Sequence, residues 1–255
     1  MTSNLLSLAR DLQRRKARRR RRLAVIEGVR LVEEALGAAV TLRGALVGPG
    51  FGEAEREAAV LRDLADHAVP TVDVSPRELR EATDTRTPQG IAAIIEIPAW
   101  TLEAIRPGGV PVLVLDAVQD PGNVGSLLRT AWALGSPGAV LLDGSADLAN
   151  PKVIRAGMGA TFRFAAVTAG VRQFAEWSRN AGLTVWVAAA EGTPIQRLEA
   201  PPKLAVVVGN EGAGVSKEIR ALADRQVAIT LARGVESLNV VAAAGIILHE
   251  ARSAD

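Results

Sequence analysis

With 255 residues, 48% of them apolar and 23% charged, the chain can bury one large core or two smaller ones, and this ordinary globular composition excludes wholesale disorder. The absence of cysteine excludes disulfides and thiolate-bound zinc or iron–sulfur centres, and two isolated histidines, His67 and His249, give no basis for a His-built metal site. A net charge of +2 supplies no global pull toward nucleic acid, and no apolar run reaches membrane-span length, so the expectation is a cytoplasmic protein with no metal and no membrane partner.

Residues Asn4 to Gln13 set leucines at helical spacing and then enter a block from Arg14 to Arg22 that only Ala17 interrupts in a run of Lys and Arg. Apolar followed by basic reverses the order of a secretory signal, and a helix leading into a basic turn is expected. Such a cluster is either a phosphate-binding footprint or a solvated face. The lack of Tyr and scarcity of Phe and Trp argue against a base-stacking platform.

Strands are expected at Leu23 to Ile26, Leu42 to Val47, Thr71 to Val74 and Ile91 to Ile97. Helices are expected at Val29 to Leu36, Glu53 to His67 and from the Ser75-Pro76 start. This alternation describes a small α/β domain over residues 1–97. Residues 98–110, with Pro107-Gly108-Gly109, break the pattern and read as a linker before a second domain at 111–255. There, strands at Val112 to Leu115, Ala139 to Leu142, Phe164 to Val167, Thr184 to Ala188, Leu204 to Val208 and Gln226 to Leu231 alternate with helices. The helices fall at Val124 to Leu134, Lys152 to Met158, Val171 to Ala181, Ser216 to Ala223 and Leu238 to Arg252. Unbroken Val, Leu and Ala strands separated by helices imply a mostly parallel sheet covered on both faces. The last helix has almost no polar face and is expected to be buried nearly all round, with Ser237 and Asn239 capping its start.

Three loops place Gly, Asn and acidic residues after buried strands, where open α/β sheets bind ligands: Asp116 to Arg129, Gly209 to Ser216, and the stretch around Gly234 to Asn239. The second offers Gly209, Gly212 and Gly214, which is not the G-x-G-x-x-G of dinucleotide sites. Val215 and Ser216 stand where a phosphate loop needs Lys and Ser or Thr. A nucleotide-dependent oxidoreductase would thus rest on the α/β pattern alone. In the first loop Asn123 and Arg129 lie six apart, close to one helical face, where an Arg could hold a phosphate beside an orienting amide.

Together the loops resemble the SpoU, or TrmH-type, RNA ribose 2'-O-methyltransferases of the SPOUT superfamily. Asp120-Pro121-Gly122-Asn123-Val124-Gly125 with Arg129 is similar to the first motif of that family. Gly209-Asn210-Glu211-Gly212-Ala213-Gly214 is similar to the second, and Glu236-Ser237-Leu238-Asn239-Val240 to the third. Arg19 to Val32 and Thr87-Pro88-Gln89-Gly90 resemble its N-terminal substrate-binding domain of L30e type, and residues 150–157 resemble another shared segment. Two departures stand out: Gly157 where many members have Ser, and Leu231-Ala232 in place of a Pro-Met pair.

The resemblance implies a deep trefoil knot in the C-terminal domain and a homodimer through the knotted region. It implies S-adenosylmethionine (SAM) bound near Ala188, Gly209, Ile229 and Leu238. Arg129 would lie near the 2'-hydroxyl and adjacent phosphate, Asn123 and Glu211 would shape the site, and Ser237 and Asn239 would position the Arg or the ribose. The expected RNA-binding set is Arg18, Arg19, Arg20, Arg21, Arg22 and Arg30. The expected activity is methyl transfer to a ribose hydroxyl of ribosomal RNA, with transfer RNA and a catalytically silent RNA-binding relative as the alternatives.

Overall fold

The computed structural model describes residues 2–85 and 87–252. The chain begins with α1 (Thr2–Asp11), α2 (Arg15–Arg21), β1 (Leu23–Glu27), α3 (Val29–Gly37), β2 (Leu42–Val47), α4 (Glu55–Asp66), β3 (Thr71–Asp73), α5 (Pro76–Ala82) and β4 (Ile91–Glu96). It continues through β5 (Val112–Asp116), α6 (Pro121–Ala133), β6 (Ala139–Leu142), α7 (Pro151–Gly157) and α8 (Ala160–Arg163). The remainder is β7 (Ala166–Ala169), α9 (Val171–Ala181), β8 (Thr184–Pro194), β9 (Leu204–Gly209), α10 (Lys217–Arg220), β10 (Arg225–Ala228) and α11 (Val240–Glu250).

These elements form two compact units whose boundary differs from the sequence-based one. The first holds the chain up to Pro98 together with Asp147–Arg163, and the second holds Ala99–Ala146 and the chain from Phe164 onward. The expected linker, residues 98–110, therefore falls almost wholly in the second unit. The segment carrying α7 and α8 leaves that unit to join the first. Its reason is apolar: Ala149, Ile154 and Phe162 are buried in one core with Ala24, Ile26, Val32 and Ile95.

In the first unit the strand order is β1-β4-β2-β3, with β4 antiparallel to β1 and β2, and β3 parallel to β2. Alternation divides each strand between two cores: Ala24 and Ile26 face α3 and the inserted segment, while Val25, Leu46 and Ile94 face Leu6, Leu12 and Leu79. At the start of α5, the Ser75 hydroxyl accepts from the Glu78 amide while the Glu78 carboxylate accepts from the Ser75 amide, forming a capping box.

The basic block is a helix, α2, rather than a turn. Lys and Arg are good helix formers, and carboxylates outside the run offset its charge. Asp11 pairs with Arg21 at 3.3 Å, Arg14 at 3.5 Å and Arg20 at 3.8 Å. Arg18 departs from the expected RNA-binding role. Its side chain is only 7% exposed; Nε donates to Asp147 at 3.1 Å, and Nη1 donates to the Leu12 and Gln13 carbonyls at 3.1 and 2.8 Å. A guanidinium so committed is not offered to a phosphate. Arg18→Met should leave Asp147 and two carbonyls short of a donor and destabilise the protein by about 3 kcal/mol, as loss of one partner of a buried pair does; thermal unfolding measures it. Arg19, Arg20, Arg21, Arg22 and Arg30 remain exposed.

The second unit is built on a six-stranded sheet of order β10-β8-β9-β5-β6-β7 in which every neighbouring pair is parallel. After β5 the chain adds β6 and β7 on one side and then returns to place β9 on the other, so the order reverses at β5. Ligand crevices of open parallel sheets lie at such a reversal, beyond the carboxyl ends of the strands. Two shorter or displaced elements differ from expectation: β7 begins at Ala166 rather than Phe164, and α10 has only four residues.

α11 packs on α6 and β9, and Ala244, Ile247 and Leu248 are buried. It is not buried all round in this chain, because Ala242 is exposed and Ile246 is 37% exposed.

Candidate active site

The loops after β5 and β9 meet at the reversal of strand order. Pro121 starts α6 with its fixed φ, and the Asp120 carboxylate accepts from the Asn123 amide at 2.7 Å, so Asn123 sits in the first helical turn. The Asn123 side chain donates through Nδ2 to Oε1 of Glu211 at 2.8 Å. Two polar residues separated by 88 positions in the chain are thus hydrogen-bonded, with Asn123 half-buried and Glu211 exposed. Below them, the buried Asp116 carboxylate accepts from the Ser216 amide at 2.6 Å, which ties the end of β5 to the loop after β9.

A cavity of about 510 Å³ opens beside β8 and β10, within the usual size range of small-molecule sites. Its origin is an excursion of β8. Val187 pairs with Gln226 of β10, but the next partner, Val227, pairs with Thr193, so residues 188–192 leave the ladder and rejoin it. The cavity lies against this excursion, the stretch 227–231 and the turn 235–238.

Of the expected cofactor residues, Ala188, Ile229 and Leu238 line the cavity, and Ser237 does as well. Gly209 does not line it. Gly209 instead ends β9 where the backbone of Gly214 and Val215 passes so close that a side chain has no room. Asn239 caps α11, its Oδ1 accepting from the Val241 amide at 2.9 Å. Arg129 is exposed on α6 and lines a shallow groove with Thr130, Ala133 and Gly245 of α11, apart from the cavity's own lining.

Sequence reasoning missed Gly192, which lines the cavity where β8 rejoins the ladder. A Cβ there would stand 2.5 Å from the Val227 carbonyl carbon and 2.7 Å from that of Gln226. The expected strand stops at Ala188, so Gly192 was not recognised as a strand glycine, which would have marked a close backbone approach.

The lining chemistry discriminates among ligands. Among the described residues, the lining contains no Lys, Arg or His and one carboxylate, Glu236; the rest is Ala, Gly, Pro, aliphatic residues and two hydroxyls. A di- or triphosphate would find no cation there. A phosphate-free, cationic nucleoside fits this donor set, with exposed backbone groups of the turn available for its polar edges.

The model described as the SpoU rRNA Methylase family matches residues 111–249, more than half of the chain, and one described as an MRM3-like substrate binding domain matches residues 7–93. The Bacillus subtilis protein named 23S rRNA (guanosine(2553)-2'-O)-methyltransferase RlmP is 34% identical over 242 residues, 94% of this chain and 93% of its own. Among solved structures, the SpoU methyltransferase AviRb from Streptomyces viridochromogenes, in complex with AdoMet, superposes with a TM-score of 0.85 at 28% identity over 96% of each chain. An AdoMet-bound rRNA methyltransferase from Sinorhizobium meliloti gives 0.86 at 28% identity, over 98% of this chain and 95% of its own. With the family model spanning all six strands of the parallel sheet and the three polar loops, the chain belongs to the SpoU rRNA methylase family.

Proposed function

We propose that this protein transfers a methyl group from SAM to a ribose 2'-hydroxyl of ribosomal RNA. The observation that carries the reading is the Asn123–Glu211 pair, set at the reversal of strand order in a unit whose cavity suits a cationic nucleoside and rejects phosphates. Near full-length similarity to a 23S rRNA 2'-O-methyltransferase supports the substrate class. Mapping 2'-O-methyl positions in RNA from cells with and without this gene tests it. A missing site in ribosomal RNA is the expected result; an unchanged ribosomal RNA with a missing transfer-RNA site reassigns the substrate, and no change in either removes the activity.

When bound, SAM supplies an electrophilic methyl on a sulfonium. The demand on the protein is alignment, because an in-line displacement needs the ribose oxygen held on the far side of the methyl carbon. Residues 188–190, 227–231 and 235–238 line the cavity and would hold the nucleoside, with the Ser237 hydroxyl among them. Asn123 and Glu211 fix one edge of the ribose site. Arg129 would contact the hydroxyl and its adjacent phosphate as a cation, not as a base, since a guanidinium does not give up its proton in a protein. The hydroxyl proton leaves to water.

The same reading includes an L30e-like RNA-binding first unit, a deep trefoil knot closed by the C-terminal segment, and a homodimer. The knot is supported by α11 returning from residues 229–239 to pack on α6 and β9 at the middle of the sheet. The dimer is supported by apolar surface on α6 and around α11: Trp132 is 38% exposed and Val235 50%, beside Ile246 and Leu238. Ile246→Asp should yield monomers by light scattering; a variant that stays dimeric places the interface elsewhere. Among the described residues no helix is long and apolar enough to cross a membrane.

RNA binding by the exposed arginines makes a separate prediction. Replacing Arg19, Arg20 and Arg22 by Gln should weaken binding and reduce the slope of log K against log salt by roughly 0.7–0.9 for each phosphate no longer neutralised. Filter binding across a salt series measures it, and an unchanged slope returns these residues to a solvated face.

A further inference from the structure

Asn210 sits beside the site without lining the cavity, and its side-chain amide is nonetheless engaged at both its oxygen and its nitrogen. Nδ2 donates to the Ala117 carbonyl at 3.1 Å, and Oδ1 accepts from the amides of Gly212 and Ala213, both at 3.0 Å. Its backbone closes the same turn: the Asn210 amide donates to the Gly214 carbonyl at 3.1 Å and its carbonyl accepts from the Gly214 amide at 2.9 Å. One half of the side chain therefore shapes the loop that carries Glu211. The other half reaches across to the loop that leads through Asp120 to Asn123.

The receiving residue is held in an uncommon conformation. Ala117 has φ +55°, a left-handed geometry unfavourable to any residue with a Cβ, so an outside contact must help to hold its carbonyl in place. Three cross-links then join the two loops in sequence. At the base, Asp116 accepts from Ser216; in the middle, Asn210 donates to Ala117; at the tip, Asn123 donates to Glu211. At the base contact the Asp116 carboxylate is buried, whereas the Glu211 end of the tip contact is exposed to water and is weak by itself.

We propose that Asn210 is a positioning residue for methyl transfer, a latch between the two loops that sets the separation at which Asn123 meets Glu211. The proposal rests on the methyltransferase reading for its kinetic consequence only; the latch itself is a property of the fold. It does not involve contact between Asn210 and the reacting atoms.

Asn210→Asp tests it, because the new carboxylate keeps an acceptor for Gly212 and Ala213 but replaces the donor facing Ala117 with an oxygen. With tritiated SAM and RNA extracted from cells lacking this gene, kcat should fall about 10-fold, the scale of a small misalignment. Cofactor affinity by calorimetry and the thermal midpoint should stay near native values. In an Asn123→Ala background the same change should have no further effect, since both act through one contact. An undiminished kcat, an equal loss in that background, or a parallel loss of cofactor affinity or thermal stability overturns the latch. Amide hydrogen exchange supplies an arm that needs no RNA. Asn210→Asp should speed exchange in residues 118–123 as well as in 211–214; acceleration confined to 211–214 reduces Asn210 to a local turn residue. If the native protein transfers no methyl, the methyltransferase reading falls, and the exchange arm still decides the latch.

Discussion

Arg129→Ala should lose turnover by ~10²-fold or more while keeping native affinity for SAM, the scale of removing a charged group from a transition state. The separation of effects follows from where Arg129 stands. It lies on the exposed side of α6, nearly two helical turns beyond Asn123, and does not line the cavity. Its removal leaves no buried group unpaired, so the fold should not suffer. Calorimetric titration with the cofactor and single-turnover methylation separate the two quantities. Turnover that survives the substitution removes Arg129 from the mechanism, and affinity that falls with it moves the residue into the cofactor site. Arg129→Lys should recover only part of the rate, since an ammonium cannot bridge a hydroxyl and a phosphate with the planar fork of a guanidinium.

The second large effect is expected at Gly192→Ala. An added methyl would meet the carbonyl carbons of Gln226 and Val227 at 2.7 and 2.5 Å, and backbone cannot swing aside as a long side chain does. β8 must then separate from β10 at the point where it rejoins the ladder, with a loss of about 3 kcal/mol as overpacking against rigid structure costs. Because residues 188–192 also wall the cavity, cofactor affinity should fall with stability. This pairing of losses distinguishes Gly192 from Arg129. A variant of native stability with full cofactor affinity would show that the excursion tolerates displacement.

Much of the layout was readable before any coordinates. Continuous Val and Leu runs located β5, β6 and β9 to within a residue, because strands buried on both faces need no alternation to be recognised. The polar loops were readable because Asn123 and Glu211 sit directly after such strands. What brings them together is the strand order, a non-local outcome that no local periodicity encodes. The excursion of β8 was hidden for a different reason: the expected strand stopped at Ala188, and only the register against β10 reveals that the chain leaves the ladder there and rejoins it at Thr193. Arg18 was hidden because arginines in a run look alike. Helical phase decides which one turns inward, and the lone Ala17, buried beside it, was the mark of that inward face. The segment 147–163 carries no change of composition at either end, so its allegiance to the first unit rests on packing of Ala149, Ile154 and Phe162 that only the folded chain displays.

That allegiance bears on how the protein is made. A nascent chain that has emerged as far as Pro98 contains all four strands of the first sheet but lacks Asp147, so Arg18 does not meet that carboxylate and one face of the sheet lacks the part of its cover that Ala149, Ile154 and Phe162 supply. The first unit cannot finish until synthesis has passed Arg163, by which time β5 and β6 of the second sheet have also appeared. Maturation of the two units is therefore interleaved rather than sequential. A fragment ending at Pro98 should behave as an incomplete fold, whatever its sequence suggests about independence.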